Sequence, residues 1–326
     1  MPSSTTTLAT LRPDLAGCFQ EFDLEQDRRG FIGTQVLPVL EVGSQAGAFG
    51  KIPIEQLLES PETNRTSRGN YQRGDWEFDD ESFATKEHGW EEPIDDREAK
   101  MYANYFDAEA VSASRAYDIV LRGMEVRIAA LIYNTTTWTG ASLTTGITHE
   151  WDDATNAVPL TDIEAAVRKV YDGTGVWPNA LILNRKQFRN LRLCEQMVEK
   201  VASFGAGDSV LPGNITQQQI ATAFDLKHIL IAGSTKNTAN KGQTASLSQI
   251  WSDEYAMVCK IAETNDIREP CIGRTFHWGE DGSSIGGTIE TYRDETTRGD
   301  VVRVRNETHE KVLYSAMGHL LSNVTT

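Results

Sequence analysis

Apolar side chains at Ala110, Ala113, Tyr117, Val120, Met124, Ile128 and Leu131 recur every three or four positions. That spacing predicts one long helix with a single apolar stripe. Asp107 is placed to cap its start, with Glu109 in the first turn. The helix is expected to run from residue 107 to about 134, a length of about 42 Å. Tyr117, Met124, Ile128 and Leu131 are the candidates for its packing face. Gly123 inside it costs up to about 1 kcal/mol relative to alanine. It marks either a close approach of another backbone or a tolerated surface glycine.

From Thr144 onward, helix and strand signals alternate in an α/β manner. Thr161-Asp162-Ile163-Glu164 reads as a capping box opening a helix to about Tyr171. Ala180-Leu181-Ile182-Leu183 reads as a short buried strand, and Asn184 as the cap of a helix over 185 to about 202. Thr216-Gln217-Gln218-Gln219 is a second capping box, before a helix to Phe224 and the strand Ile229-Leu230-Ile231-Ala232. Ile250-Trp251 and Ala256-Met257-Val258 read as paired strands, and the polar stretch 234–247 and the glycine-rich stretch 279–287 as loops. Residues 288–292 and 299–305 alternate apolar and polar side chains around a turn, a hairpin with one charged face. A final strand or helix is expected over 311–322. Residues 1 to about 50 show no helical face, and Pro38 interrupts the apolar run around it. They are expected to form an extended arm with one short helical turn.

Residues 59–98 break with this pattern. Seven of these forty side chains are apolar, thirteen are acidic and five are basic, too little apolar surface to fold alone. The basic residues come first: Arg65, Arg68 and Arg73 stand among the turn formers Gly69-Asn70 and Gly74, and the acids follow. Trp76 and Phe78 alternate with Glu77 and Asp79, a strand-like period with one sticky face. A hairpin of about twenty residues per arm would reach about 65 Å, against a radius of gyration of about 20 Å for a compact chain of this length. The segment is either a disordered loop or an arm lying on a neighbouring molecule. In the second case Arg65, Arg68, Arg73, Trp76 and Phe78 are its intersubunit contacts.

Charge and composition narrow the function. The net charge is −16, half of it in residues 59–98. Such a chain repels a polyanion over most of its surface, so it either ignores DNA or encloses it without gripping it. No run of apolar residues is long enough to span a membrane, and the amino terminus lacks the basic start and apolar centre of a signal peptide. The protein is therefore expected to fold in the cytoplasm where it is made. Cys18, Cys194, Cys259 and Cys271 are widely spaced and read as reduced, buried thiols. No two of the six histidines have the spacing of a helical zinc site. His149-Glu150-Trp151-Asp152-Asp153 gathers ligand types but reads as a solvated loop. The glycines at 279, 282, 286 and 287 lack the Lys and the following helix of a phosphate cradle. No catalytic, cofactor-binding or metal site is predicted.

Four passages give the order of elements a recognisable cast. They are Glu92-Pro93-Ile94-Asp95-Asp96 ahead of the long helix, and Gly123-Met124-Glu125-Val126-Arg127-Ile128-Ala129-Ala130-Leu131 within it. Pro178-Asn179-Ala180-Leu181-Ile182-Leu183-Asn184 precedes a later helix, and Ile250-Trp251-Ser252-Asp253 precedes the terminal hairpin. Together they resemble, over nearly the whole chain, the major capsid proteins of tailed bacteriophages, the Hong Kong 97-like fold family. The resemblance implies an α+β fold made of an N-arm (1–50), an E-loop hairpin (51–98), a P-domain spine helix (99–140), an α/β A-domain (141–285), a P-domain β-hairpin (286–310) and a C-terminal segment (311–326) returning to the A-domain.

It further implies a structural protein and not an enzyme. Pentamers and hexamers of the chain would build an icosahedral head shell around double-stranded DNA, held without tight specific binding. Assembly would take place in the host bacterial cytoplasm and end in the virion capsid. Its partners would be other copies of itself, a scaffolding protein, a portal and a decoration or cement protein. No stretch matches the scaffold domain fused ahead of the type member's N-arm, so scaffolding is expected from a separate protein, with no amino-terminal cleavage. The matching P-domain stretch, Val301-Val302-Arg303-Val304, lacks the Asn used in that member's isopeptide cross-links, so a noncovalent shell is expected. The competing readings are an encapsulin-type nanocompartment shell, another phage head or tail protein, and a cytoplasmic α/β enzyme with an unrecognised site.

Overall fold

A computed structural model describes residues 10–11, 30–51, 53–75, 79–102, 107–203, 215–280 and 282–325. The long helix spans Ala108–Ile132, and the Asp107 carboxylate accepts the Glu109 backbone N–H at 3.0 Å, satisfying one of the donors a helix start leaves open. Tyr117, Val120, Met124 and Ile128 form its buried face, joined by Leu121 and Ile132. Around Gly123 the nearest neighbour to an added Cβ would be the Arg127 guanidinium, at 3.7 Å. Nothing packs there, so Gly123 is a tolerated glycine.

The first sheet has six strands. Thr10–Leu11, Thr288–Asp294, Gly299–Val312, Gly273–Trp278 and Val39–Val42 follow one another in that order, and Lys86–Asp95 lies along Gly299–Val312. All pairs are antiparallel except Gly273–Trp278 with Val39–Val42. Gly299–Val312, fourteen residues long, is the hub. Val302 and Val304 turn inward with Ile289 and join the long helix in one core, while Arg303 and Arg305 alternate outward. A side chain at Gly299 has no room, since its Cβ would stand 2.2 Å from the Ile94 carbonyl oxygen. The strand Lys86–Asp95 sits in this sheet although it falls within 51–98. Gly273–Trp278 does too, although it falls within 141–285.

The second sheet orders Thr144–Gly146, Gly318–Ser322, Ala256–Cys259, Ala180–Asn184 and His228–Ala232. The outer two pairs are parallel, and Ala256–Cys259 is antiparallel to both its neighbours. Every residue of Ala180–Asn184 is buried, as expected of a strand covered on both faces. Helices Pro159–Thr174, Arg185–Leu193, Glu195–Val201 and Gln217–Phe224 accompany the sheet. The capping box expected at Thr216 forms, and the cap expected at Asn184 forms as a capping box with Gln187. The two sheets share one core: Ile128 and Ile132 of the long helix cluster with Ile182, Met257 and Leu320 of the second sheet as well as with Val302 of the first.

Several local expectations are corrected. The helix expected to open at Thr161 begins at Pro159, because Gln196 of another helix accepts the Leu160 N–H at 2.9 Å and makes a local cap unnecessary. The helix expected over 185–202 breaks at Cys194, whose backbone is extended. Ile250-Trp251 does not pair with Ala256–Cys259. Instead Leu247–Gln249 pairs with Thr235–Asn237 inside the supposed loop 234–247, and Ala256–Cys259 pairs within the second sheet. The segment 311–322 is neither one strand nor one helix: the hub strand ends at Val312, one 3₁₀ turn follows at Ser315–Met317, and Gly318–Ser322 is a separate strand.

Candidate assembly surface

The arm starts from a short hairpin in which Ala46–Lys51 pairs antiparallel with Asp79–Ala84. Each strand has six residues, so the paired stem reaches about 20 Å, not the 65 Å of twenty-residue arms. Its root is bolted to the first sheet. Phe83 stacks on Phe276 at 4.8 Å between ring centroids, Phe49 lies 5.9 Å from the same ring, and the Thr85 hydroxyl donates to Glu307 at 2.7 Å. Beyond one helical turn at Ile54–Leu57, residues 58–75 form no regular structure and are almost wholly exposed.

The predicted contact residues fare differently. Arg65 is spent on the arm's own shape: its Nε donates to the Gly69 carbonyl at 2.7 Å and its guanidinium lies 4.7 Å from the Tyr71 ring centre. Arg68 stands in the turn with φ 67°, a left-handed backbone that favours glycine. Arg68 and Arg73 are exposed and, among the described residues, have no ion-pair partner. Trp76 and Phe78 lie outside the described residues. Tyr117, Met124 and Ile128 are buried under the long helix, and Leu131 is half-buried against the same core.

The acids that follow the arm mostly do not face outward unmatched. Glu91 meets Arg303 at 2.6 Å, Glu92 meets Arg115 at 3.1 Å, and Asp96 meets Arg293 with two contacts of 2.6 Å. Hydrogen bonds from Arg293 hold the Asp96 carboxyl below the ordinary carboxylate range. Three of these acids thus neutralise bases of the same subunit, and the partners of Glu91 and Asp96 lie far along the chain.

One important residue escaped the sequence reading. Glu125 is buried on the long helix. It accepts the Ile32 N–H at 2.9 Å, the Gly33 N–H at 2.7 Å and the Trp251 indole N–H at 2.6 Å. A Cβ at Gly33 would lie 2.5 Å from the carboxylate. Burial pushes the Glu125 carboxyl up, against the pull of the three donors. The clue was available: apolar Leu121, Ile128 and Ile132 stand at i−4, i+3 and i+7 from it, which puts a charge inside the stripe. Nearby, Arg127 clasps Glu310 of the hub strand at 3.0 and 2.8 Å.

Among the described residues no group of three or more His, Cys, Asp or Glu could hold a metal ion, and no helix is long and apolar enough to cross a membrane. The loop around Trp151 is structural. The indole is buried and donates to Asp162 at 3.1 Å, while Asp153 accepts the Thr155 and Asn156 N–H groups.

A long helix across a sheet built on a returning hairpin, an exposed arm rooted on that sheet, and a five-stranded α/β unit completed by the chain's last strand define the Hong Kong 97-like capsid fold. The chain is 22% identical over 299 residues to the major capsid protein of Burkholderia phage BcepMu, covering 90% of this chain and 91% of that one. It matches the crystal structure of a phage-related protein from Bordetella bronchiseptica with a TM-score of 0.69 at 16% identity, over 97% of this chain and 98% of that one. A virus-like particle from Pyrococcus furiosus matches with a TM-score of 0.57 at 11% identity, over 95% and 98%. Phage capsids share the fold at TM-scores of 0.53 to 0.55. No profile of a known protein family matches the chain.

Proposed function

We propose that the chain is the major capsid protein of a tailed phage, and that pentamers and hexamers of it close the head shell around double-stranded DNA. The observation that carries this reading is the likeness to a phage major capsid protein over nine-tenths of both chains, joined to an arm whose residues 58–75 are exposed and add nothing to the subunit's own core. An exposed arm of this kind can bury its surface against another copy. Assembly in the host cytoplasm, a separate scaffolding protein, a portal and a decoration protein belong to the same proposal.

The likeness to a virus-like particle favours a second reading, a nanocompartment shell of the encapsulin type. Electron microscopy of the expressed full-length chain tests the first. Closed icosahedral particles are expected, whereas monodisperse monomers at assembly concentrations would sink the shell reading altogether. The contents of particles from infected cells separate the two shells, nucleic acid against an enclosed enzyme.

A further inference from the structure

The helix Arg185–Leu193 carries Arg185, Lys186, Arg189 and Arg192 and no acid, in a chain of net charge −16. Its inner face is fixed by the fold: Gln187 and Leu191 are buried, and the Gln187 carboxamide donates to the Asp253 and Tyr255 carbonyls at 2.6 and 2.9 Å. Arg185, Arg189 and Arg192 fall at i, i+4 and i+7 on the opposite side, one continuous stripe. Lys186 reaches Asp253 at 2.8 Å, and Arg192 lies over the Phe188 ring at 5.6 Å. Arg185 and Arg189 are exposed and, among the described residues, have no ion-pair partner. Arg185 and Lys186 also occupy the first turn, where the helix dipole disfavours cations. Lys186 is compensated by Asp253, whereas Arg185 has no ion-pair partner among the described residues, and a local rule broken in this way points to a contact outside the subunit.

The electrostatics of crowding select the partner. Copies that each carry −16 repel one another unless complementary patches meet. Half of the chain's excess acid lies in residues 59–98, where Glu91, Glu92 and Asp96 are taken by arginines of the same subunit. Asp79 and Asp80, at the outer end of the arm's paired stem opposite Lys51 and Gly50, are exposed and have no ion-pair partner among the described residues. We propose that the Arg185/Arg189 stripe of one subunit docks on Asp79 and Asp80 of a second copy. The contact joins two different patches, and such heterologous contacts propagate into rings when the rotation closes. This rests on the shell reading above and adds to it a surface on the second-sheet unit, distinct from the arm's tip.

The test uses the full-length chain at about 0.15 M salt, where the screening length is about 8 Å. The Arg185→Glu/Arg189→Glu and Asp79→Arg/Asp80→Arg variants are each expected to keep the subunit's thermal unfolding and to lose closed particles by sedimentation and microscopy. Combining all four changes should restore the particles. If charge reversal unfolds the subunit, Arg185→Gln/Arg189→Gln gives the same readout as slowed assembly. Normal assembly of either pair, or no recovery in the combined variant, overturns the proposal. So does normal assembly accompanied by lost retention of duplex DNA on isolated capsomers, which would give the stripe to nucleic acid. Wild-type chain that forms no particles would fail the shell reading instead, so the two failures remain distinguishable.

Discussion

At the scale of the residue, Glu125 gathers three buried donors on one carboxylate. Its carboxylate joins the turn at Ile32 and Gly33, the long helix and Trp251, three pieces distant in sequence. Removing it strands two backbone donors and an indole N–H in a dry site, at about 1–3 kcal/mol per buried unsatisfied group. Glu125→Ala is therefore expected to lower subunit stability in urea unfolding by at least about 3 kcal/mol. The sign of its pH dependence follows from burial, which raises the folded pKa above the unfolded one. The stabilisation is fully present below the ordinary carboxylate range of about 4 and is lost as pH rises through the raised value. Relative to Glu125→Gln, the wild-type subunit should lose stability as pH climbs from about 4 toward neutrality. A difference that grows in the other direction would mean that the three donors outweigh burial.

At the scale of the element, the caps at Asp107, Asn184 and Thr216 were legible because each is settled within four residues of chain. The start at Pro159 was not, because its acceptor comes from Gln196 on another helix. The strand Lys86–Asp95 was hidden for a related reason. Its acids look unfoldable in a local window, and they become tolerable only against arginines such as Arg303, some two hundred residues later. The arm's paired stem is shorter than its alternating residues suggested, because pairing starts at Ala46, upstream of the acidic run. What remains of the arm as an element is the exposed tip with Arg65, Arg68 and Arg73, and we propose that it rests on acidic surface of a neighbour. A single exposed ion pair contributes about 0–1 kcal/mol, so no one of these arginines should matter for folding, while a closed shell repeats each contact in every subunit. The triple variant Arg65→Glu, Arg68→Glu, Arg73→Glu is expected to retain native circular dichroism and thermal unfolding yet form no closed particles. Normal assembly of that variant at physiological salt would reduce the tip to an ordinary surface loop.

At the scale of the whole molecule, the shell is expected to be held without covalent bonds between subunits. The hub strand does contain one asparagine, Asn306, but its side chain is fully buried and donates to the Ile285 carbonyl at 3.3 Å, out of reach of a neighbour's lysine. Cys194, Cys259 and Cys271 are buried as well, and Cys18 lies outside the described residues. Burial first, and then Asp153 and Asp152, push the Cys194 thiol up to about 11, which keeps it protonated and unreactive. Boiled, non-reduced particles should therefore run on a denaturing gel as one band at 36.2 kDa, and a ladder of oligomers would reveal a cross-link. The strand Gly318–Ser322 has a further consequence. It lies between Ala256–Cys259 and Thr144–Gly146 in the middle of its sheet, with Leu320 and Leu321 in the core. A chain lacking residues 318–322 therefore has a one-strand gap with apolar edges on both sides, and it is expected to be cleaved rapidly by a protease under conditions in which the whole chain resists.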